Sequence, residues 1–144
     1  MRTIRRAALV GISALPLVLV PGVAAHATPS SGVSSTTLYE RTVDGTTYTL
    51  KRITISPGGT TGWHYHPGTV HGIVLEGTLT HSDADCTTDG VYSSGDTITE
   101  PAGPDHVHIG RNLGSVPVVL DALYVDPAGT PLTVDAPAPG CDIQ

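Results

Sequence analysis

Short runs rich in β-branched and aromatic residues, each cut off by Gly, Pro, Asp or Asn, constrain this chain of 144 residues more than any other feature. The runs are Thr46 to Ile55, Gly62 to His66, His71 to Leu75, Thr78 to Ser82, Val91 to Ser93, Thr97 to Glu100, Val107 to Arg111 and Val116 to Val125. Such side chains fit a pleated, half-buried surface, and no run keeps a helical period over three turns. Between them stand the turn signals Asp44-Gly45, Pro57-Gly58-Gly59, Glu76-Gly77, Ser94-Gly95-Asp96 and Leu113-Gly114. Many short strands at close spacing predict an all-β fold, an antiparallel sandwich or barrel. The 17 glycines and 12 prolines raise the alternative of disorder. Alternation in Thr46 to Ile55 and Val116 to Val125 is nevertheless that of folded strands.

The first residues, Met1 to Arg6, are cationic, and Ala7 to Ala25 is an apolar run closing on Ala25-His26-Ala27, a small-x-small cleavage pattern. Residues 1–27 therefore read as a signal peptide and the protein as secreted or extracytoplasmic. Pro16, Pro21 and Gly22 make the run a poor spanning helix, so a retained anchor is the weaker reading. Arg5-Arg6 lacks the flanking residues of a twin-arginine signal, which favours the general secretory route. Cleavage after Ala27 leaves about 117 residues, enough for one domain. The remainder has four basic residues against thirteen acidic ones and no basic cluster, which argues against nucleic acid and anionic lipid as partners. Residues 28–35 are Ser, Thr, Pro and Gly with little to bury and read as a flexible leader, with the ordered domain over 36–135.

Cys86 and Cys141 are the only cysteines. In an exported chain such a pair reads as a disulfide, here stapling the Pro- and Ala-rich tail 136–144 to the body. Closing that loop is worth roughly 4 kcal/mol at most in the chain-entropy picture. A thiolate metal site is the weaker alternative, because no CxxC-type spacing is present.

Five of the seven histidines fall in two segments: His64, His66 and His71 after Gly58, and His106 and His108 after Pro101-Ala102-Gly103. Alternate side chains of a strand share a face, so His64 and His66 can aim two imidazoles at one point while Trp63 and Tyr65 face away, towards an outer sheet or rim. The residues resemble the two motifs of the cupins, small jelly-roll β-barrels with a metal at the centre. The first motif runs approximately G-x5-H-x-H-x3,4-E-x6-G. His64 and His66 fit its paired ligands, His71 stands where the family usually has Glu, and Gly77 comes one residue early. Exchange of a carboxylate for an imidazole makes the ligand set softer. The second motif runs G-x5-P-x-G-x2-H-x3-N. Gly95, Pro101 and Gly103 fit in register, the distance from Pro101 points to His106, and the distance from Asn112 points to His108. The strand reads as two residues longer than usual, with both imidazoles able to face inward.

The resemblance thus implies an antiparallel jelly-roll barrel binding one divalent transition metal (Fe, Zn, Mn, Ni or Cu) through His64, His66, His71 and either His106 or His108. His81 lies in the polar stretch Thr80 to Asp83 and is assigned to solvent. Glu76 and Glu100 are the only carboxylates near the motif strands that can orient an imidazole or act as a base, and turn or strand-end positions facing water are expected for both. Asp105 is a further candidate partner for a histidine.

An exported metal site has little access to reduced nicotinamide or 2-oxo acids, so oxygen chemistry there has to take its electrons from the substrate: a flavonol, a diketone or a catechol-like compound. Lewis-acid isomerisation or cyclisation needs no external electrons. The competing class is a non-catalytic cupin holding a structural metal or binding a small molecule or sugar. A third is a metal-free secreted β-domain with its histidines scattered over different faces. A homodimer through edge strands accords with the resemblance, although no interface is legible.

Overall fold

The computed structural model describes residues 27–140 and Ile143. The leader up to His26 and Cys141 lie outside the described residues. The chain forms ten strands and, among the described residues, no helix: β1 (Ser31–Val43), β2 (Thr46–Thr60), β3 (His64–Tyr65), β4 (Thr69–Glu76), β5 (Thr78–Asp83), β6 (Thr88–Ser93), β7 (Thr97–Glu100), β8 (His108–Arg111), β9 (Val118–Pro127) and β10 (Val134–Asp135). All pairings are antiparallel, in the order β10-β3-β8-β2-β9-β4-β7, with β1 on β2, β5 on β8 and β6 on β5. The sheet curls into a nearly closed barrel.

Asp44 and Gly45 both take positive φ, 49° and 79°, the geometry of a tight hairpin whose twist matches its strands, and they join β1 to β2. β1 begins at Ser31, so Ser31 to Ser35, expected as part of a flexible leader, lie in a strand. Backbone pairing with β2, Val33 opposite Ile55 and Ser35 opposite Ile53, supplies what their side chains lack.

The barrel interior follows from alternation. On β9 Val118, Leu120, Ala122 and Tyr124 are buried while the residues between them are partly exposed. Ile55, Val74, Leu79, Val118 and Leu120 form one apolar cluster, and Val70, Ala122 and Tyr124 form a second beside it. Truncating one of the larger members to Ala costs about 2 to 5 kcal/mol.

The C-terminal segment docks through its backbone. Val134 and Asp135 pair with Tyr65 and His64, and the Ala136 N–H donates to the Trp63 carbonyl at 2.8 Å. Trp63 is fully buried, with its indole N–H donating to the Ile143 carbonyl at 3.1 Å. It is thus covered by the tail rather than set against an outer sheet or rim, while Tyr65 is half-buried. Cys86 sits in the β5–β6 turn at φ 71°. Its expected partner is outside the described residues.

Candidate metal centre

Two very short strands place the imidazoles. His64 on β3 is paired directly across from His108 on β8, so both side chains project to the same face. Gly62 precedes them at φ +70°, with the Thr28 carbonyl pressed where a side chain would stand. Only glycine suits that position, and its carbonyl accepts from His64 Nδ1 at 2.9 Å. His66 Nδ1 meets the Leu132 carbonyl at 2.7 Å, and His108 Nδ1 meets the His106 carbonyl at 2.8 Å.

A carbonyl oxygen can only accept, so each Nδ1 carries its proton and each neutral ring presents its Nε2 lone pair. The three rings crowd around one point, two pairs edge-on and the His66–His108 pair tilted, with centroids 4.8, 4.4 and 5.1 Å apart. Each offers a nitrogen within 4.8 Å of the others. All three are buried, and His108 Nε2 has no hydrogen-bond partner. Burial first, then repulsion from His108 and His66, pushes the His64 pKa down to about 3. His108 is also lowered, chiefly by burial. Neutral imidazoles with converging lone pairs and tied Nδ1 protons are the donor set that a divalent transition metal requires. These residues fit such an ion.

A carboxylate stands beside them. Glu100 at the end of β7 places Oε2 3.1 Å from His66 Nε2 and 3.6 Å from His108 Nε2, while Oε1 lies 3.5 Å from His81 Nε2. Burial opposes ionisation of Glu100, but the neighbouring imidazoles of His66, His81 and His108 outweigh it and hold the carboxyl well below its usual range. His81 is itself buried, and its Nδ1 is 2.6 Å from Asp89 Oδ1. Burial works against its protonated form too, yet Glu100 and Asp89 together raise its pKa.

Of the five histidines expected at the metal, the structure brings together His64, His66 and His108. His71 is exposed on β4, because that strand buries Val70, Gly72 and Val74 and turns the odd positions outward; its Nδ1 is 3.3 Å from Thr99 Oγ1. With three residues in place of four after His66, the first motif runs Gly58, His64, His66, Val70, Gly77 without a slip, so Val70 occupies the acidic position. His106 is exposed as well. β8 starts only at His108, and the two extra residues of the second motif are absorbed in the loop before it rather than in a longer strand. Asn112 is a clamp, donating to the Ile55 and Val116 carbonyls and accepting from the Gly114 N–H. Asp105 and Glu76 are exposed.

Two expectations are reversed by burial. His81, assigned to solvent, and Glu100, assigned to a water-facing strand end, both sit at the centre. Alternation carried the missed signal: His81 shares a face with Leu79, and Glu100 with Ile98, both buried apolar residues.

The centre opens into a cavity of about 50 Å³ bounded by Ile53, Ile98, Leu120 and Tyr124 opposite the imidazoles. A wider cavity of about 290 Å³, lined in part by Lys51, Thr61, Tyr124 and Asp135, also reaches His64. Burial, then Glu100 and Asp126, raises the Tyr124 pKa and keeps it a neutral phenol.

The family model for the cupin domain matches residues 51–126, more than half of the chain. The chain belongs to the cupin family. No curated sequence matches it. Among solved structures, a cupin-like protein from Thermotoga maritima is 20% identical, with 76% of this chain and 80% of that one covered at a TM-score of 0.63. The polyketide cyclase RemF from Streptomyces resistomycificus is 18% identical over 76% and 75% of the two chains, TM-score 0.60. A recombinant oxalate oxidase in complex with glycolate is 23% identical, TM-score 0.58; this cupin covers 54% of its length and 72% of itself is matched. At these identities the likeness is one of fold, and it agrees with the all-β antiparallel barrel read from the sequence.

Proposed function

We propose that this cupin is an exported protein that holds one divalent transition metal at His64, His66 and His108 and converts a small oxygen-rich molecule there. The observation that carries the reading is the set of three buried imidazoles, each with Nδ1 committed to a backbone carbonyl and Nε2 aimed at a shared point. Metals compatible with this set are Fe, Zn, Mn, Ni and Cu. A bound ion would supply Lewis acidity and a position for water, dioxygen or a chelating oxygen ligand.

The chain's own residues shape what reaches that position. Ile53, Ile98 and Leu120 give the inner cavity an apolar wall. Tyr124 offers a neutral hydroxyl, and Lys51, the single lysine of the chain, lines the outer cavity. An enolisable or anionic oxygen compound suits this pairing of a phenol donor with an ammonium group. Two reaction types fit: dioxygen-dependent cleavage drawing electrons from a diketone, flavonol or catechol-like substrate, and redox-free isomerisation or cyclisation. The fold neighbours include an oxalate oxidase and a polyketide cyclase, one protein of each general kind.

A non-catalytic metal site is the second reading, favoured by the half-buried carboxylate that stands ready to close a four-coordinate shell. Elemental analysis after loading with each metal is expected to give about one ion per chain, falling to none in His108→Ala. Oxygen uptake and absorbance changes with the three substrate classes then separate the readings. Turnover of none of them, with every ion tightly retained, favours the structural role. Export and the Cys86–Cys141 bridge belong to the same proposal; intact mass of protein secreted by a host cell checks both, through loss of residues 1–27 and of two hydrogens.

A further inference from the structure

We propose that the acidic ligand of this centre has moved to another strand: Glu100 Oε2 on β7 serves as the fourth protein ligand in place of position 70, and His81, anchored on Asp89, fixes its other oxygen. The inference rests on the triad reading above and adds a residue that neither motif assigns to the metal.

Register comes first. β4 and β7 pair antiparallel with Val70 directly opposite Glu100, so the two side chains leave the sheet on the same face as immediate neighbours. The motif position on β4 carries only an apolar side chain, buried at the cavity wall, and offers no donor atom. Its cross-strand partner supplies a carboxylate to the same space.

Distances come second. Two donor atoms that each lie about 2.1 Å from one ion, at angles between square and tetrahedral, are about 3.0 to 3.4 Å from each other. Glu100 Oε2 stands 3.1 Å from His66 Nε2 and 3.6 Å from His108 Nε2. Those two spacings match a coordination sphere shared with His66 and His108 to within a few tenths of an ångström.

The lone pairs come third. His66 and His108 each give the Nδ1 proton to a backbone carbonyl, so in its neutral form each ring points an acceptor at an acceptor oxygen. Buried acceptors facing each other are costly unless something positive lies between them. A divalent cation relieves both contacts at once, whereas a single proton relieves one.

His81 completes the arrangement. It reaches Glu100 Oε1 at 3.5 Å from one nitrogen and Asp89 at 2.6 Å from the other, and Asp89 lines a surface cavity with Asp83 and His106. With Oε1 turned towards His81, Glu100 offers Oε2 as a one-atom ligand. A tetrahedral ion would then be fully enclosed by protein, while a six-coordinate ion would keep two positions towards the apolar cavity.

The test uses the full mature chain with Co(II) as the probe, whose visible bands report coordination. Glu100→Gln is expected to weaken Co(II) binding at least 100-fold and to alter those bands. The strand swap Val70→Glu/Glu100→Val is expected to recover affinity to within about tenfold of wild type. Because either variant can misfold, wild-type protein carrying ¹³C-carboxyl glutamate provides an independent readout. The chain has three glutamates, Glu40, Glu76 and Glu100, and metal addition is expected to shift the infrared carboxylate stretch of one. An unshifted stretch, or wild-type affinity and bands in folded Glu100→Gln, overturns the assignment while leaving the triad intact. Failure of wild-type protein to take up Co(II) at all removes the triad reading and this one together.

Discussion

His64 and His81 are both buried imidazoles within the same barrel, yet they are held by opposite means. His64 gives its Nδ1 proton to the Gly62 carbonyl, a neutral acceptor that fixes the tautomer without rewarding a positive charge. His81 stands between Asp89 and Glu100, two carboxylates that do reward it. The outcome is a pKa pushed down to about 3 for His64 and raised for His81. Burial disfavours the cation in both cases, so the second partner decides the sign. One residue type thereby serves as a neutral donor on one side of the centre and as a carboxylate-held strut on the other.

The strongest way to break this contrast is to remove a neutral donor. His64→Ala is expected to lower metal affinity by at least a thousandfold, read by calorimetric titration; retention of wild-type affinity would mean that the triad does not bind the ion. Removing the strut is expected to do less. His81→Asn should weaken binding about 10- to 100-fold at unchanged stoichiometry, the usual cost of losing a partner that orients a ligand. Complete loss of uptake would instead make His81 a ligand and dissolve the distinction.

Acid and base sharpen it next. Below about pH 6.5 the unfolded chain takes up protons that His64 and His108 refuse, so the metal-free protein loses stability as pH falls from there towards about 3 for His64. Each refused proton costs roughly 1 kcal/mol per pH unit. His81 runs the other way: its contribution is fully present below about 6.5 and is lost as pH rises through its raised folded value. Urea midpoints of metal-free protein should therefore peak near pH 6.5. His64→Gln is expected to flatten the acid side, and His81→Asn the alkaline side. The smallest effects belong to the histidines that stay out of the cluster. His71→Ala and His106→Ala are expected to leave metal affinity unchanged and stability within about 0.5 kcal/mol.

Sequence alone revealed the barrel because strand alternation and turn residues act locally: the β2 and β9 runs, the Asp44-Gly45 hairpin and the His64-x-His66 pair need no knowledge of the rest of the chain. The choice between His106 and His108 required knowing where β8 begins, which depends on how far the loop after Gly103 extends. That loop is set by the bond from the Gly103 N–H to the His66 carbonyl, a tertiary contact. His71 was misplaced by a single-residue shift, and a one-residue shift in a strand turns a side chain from core to solvent. Glu100 and His81 were assigned to water because a charged side chain is a poor guess for a buried position. Among the described residues they are held by each other, by Asp89 and by the triad, a mutual arrangement that no local pattern displays.

The chain has a single tryptophan, and Trp63 lies adjacent to His64 with its indole capped by the Ile143 carbonyl. The protein therefore carries its own optical gauge: emission should shift to longer wavelengths when the terminal segment lifts away, and should dim when a paramagnetic ion such as Cu(II) settles next door. Seating of the C-terminus and occupancy of the centre can then be followed in one cuvette, with no added label.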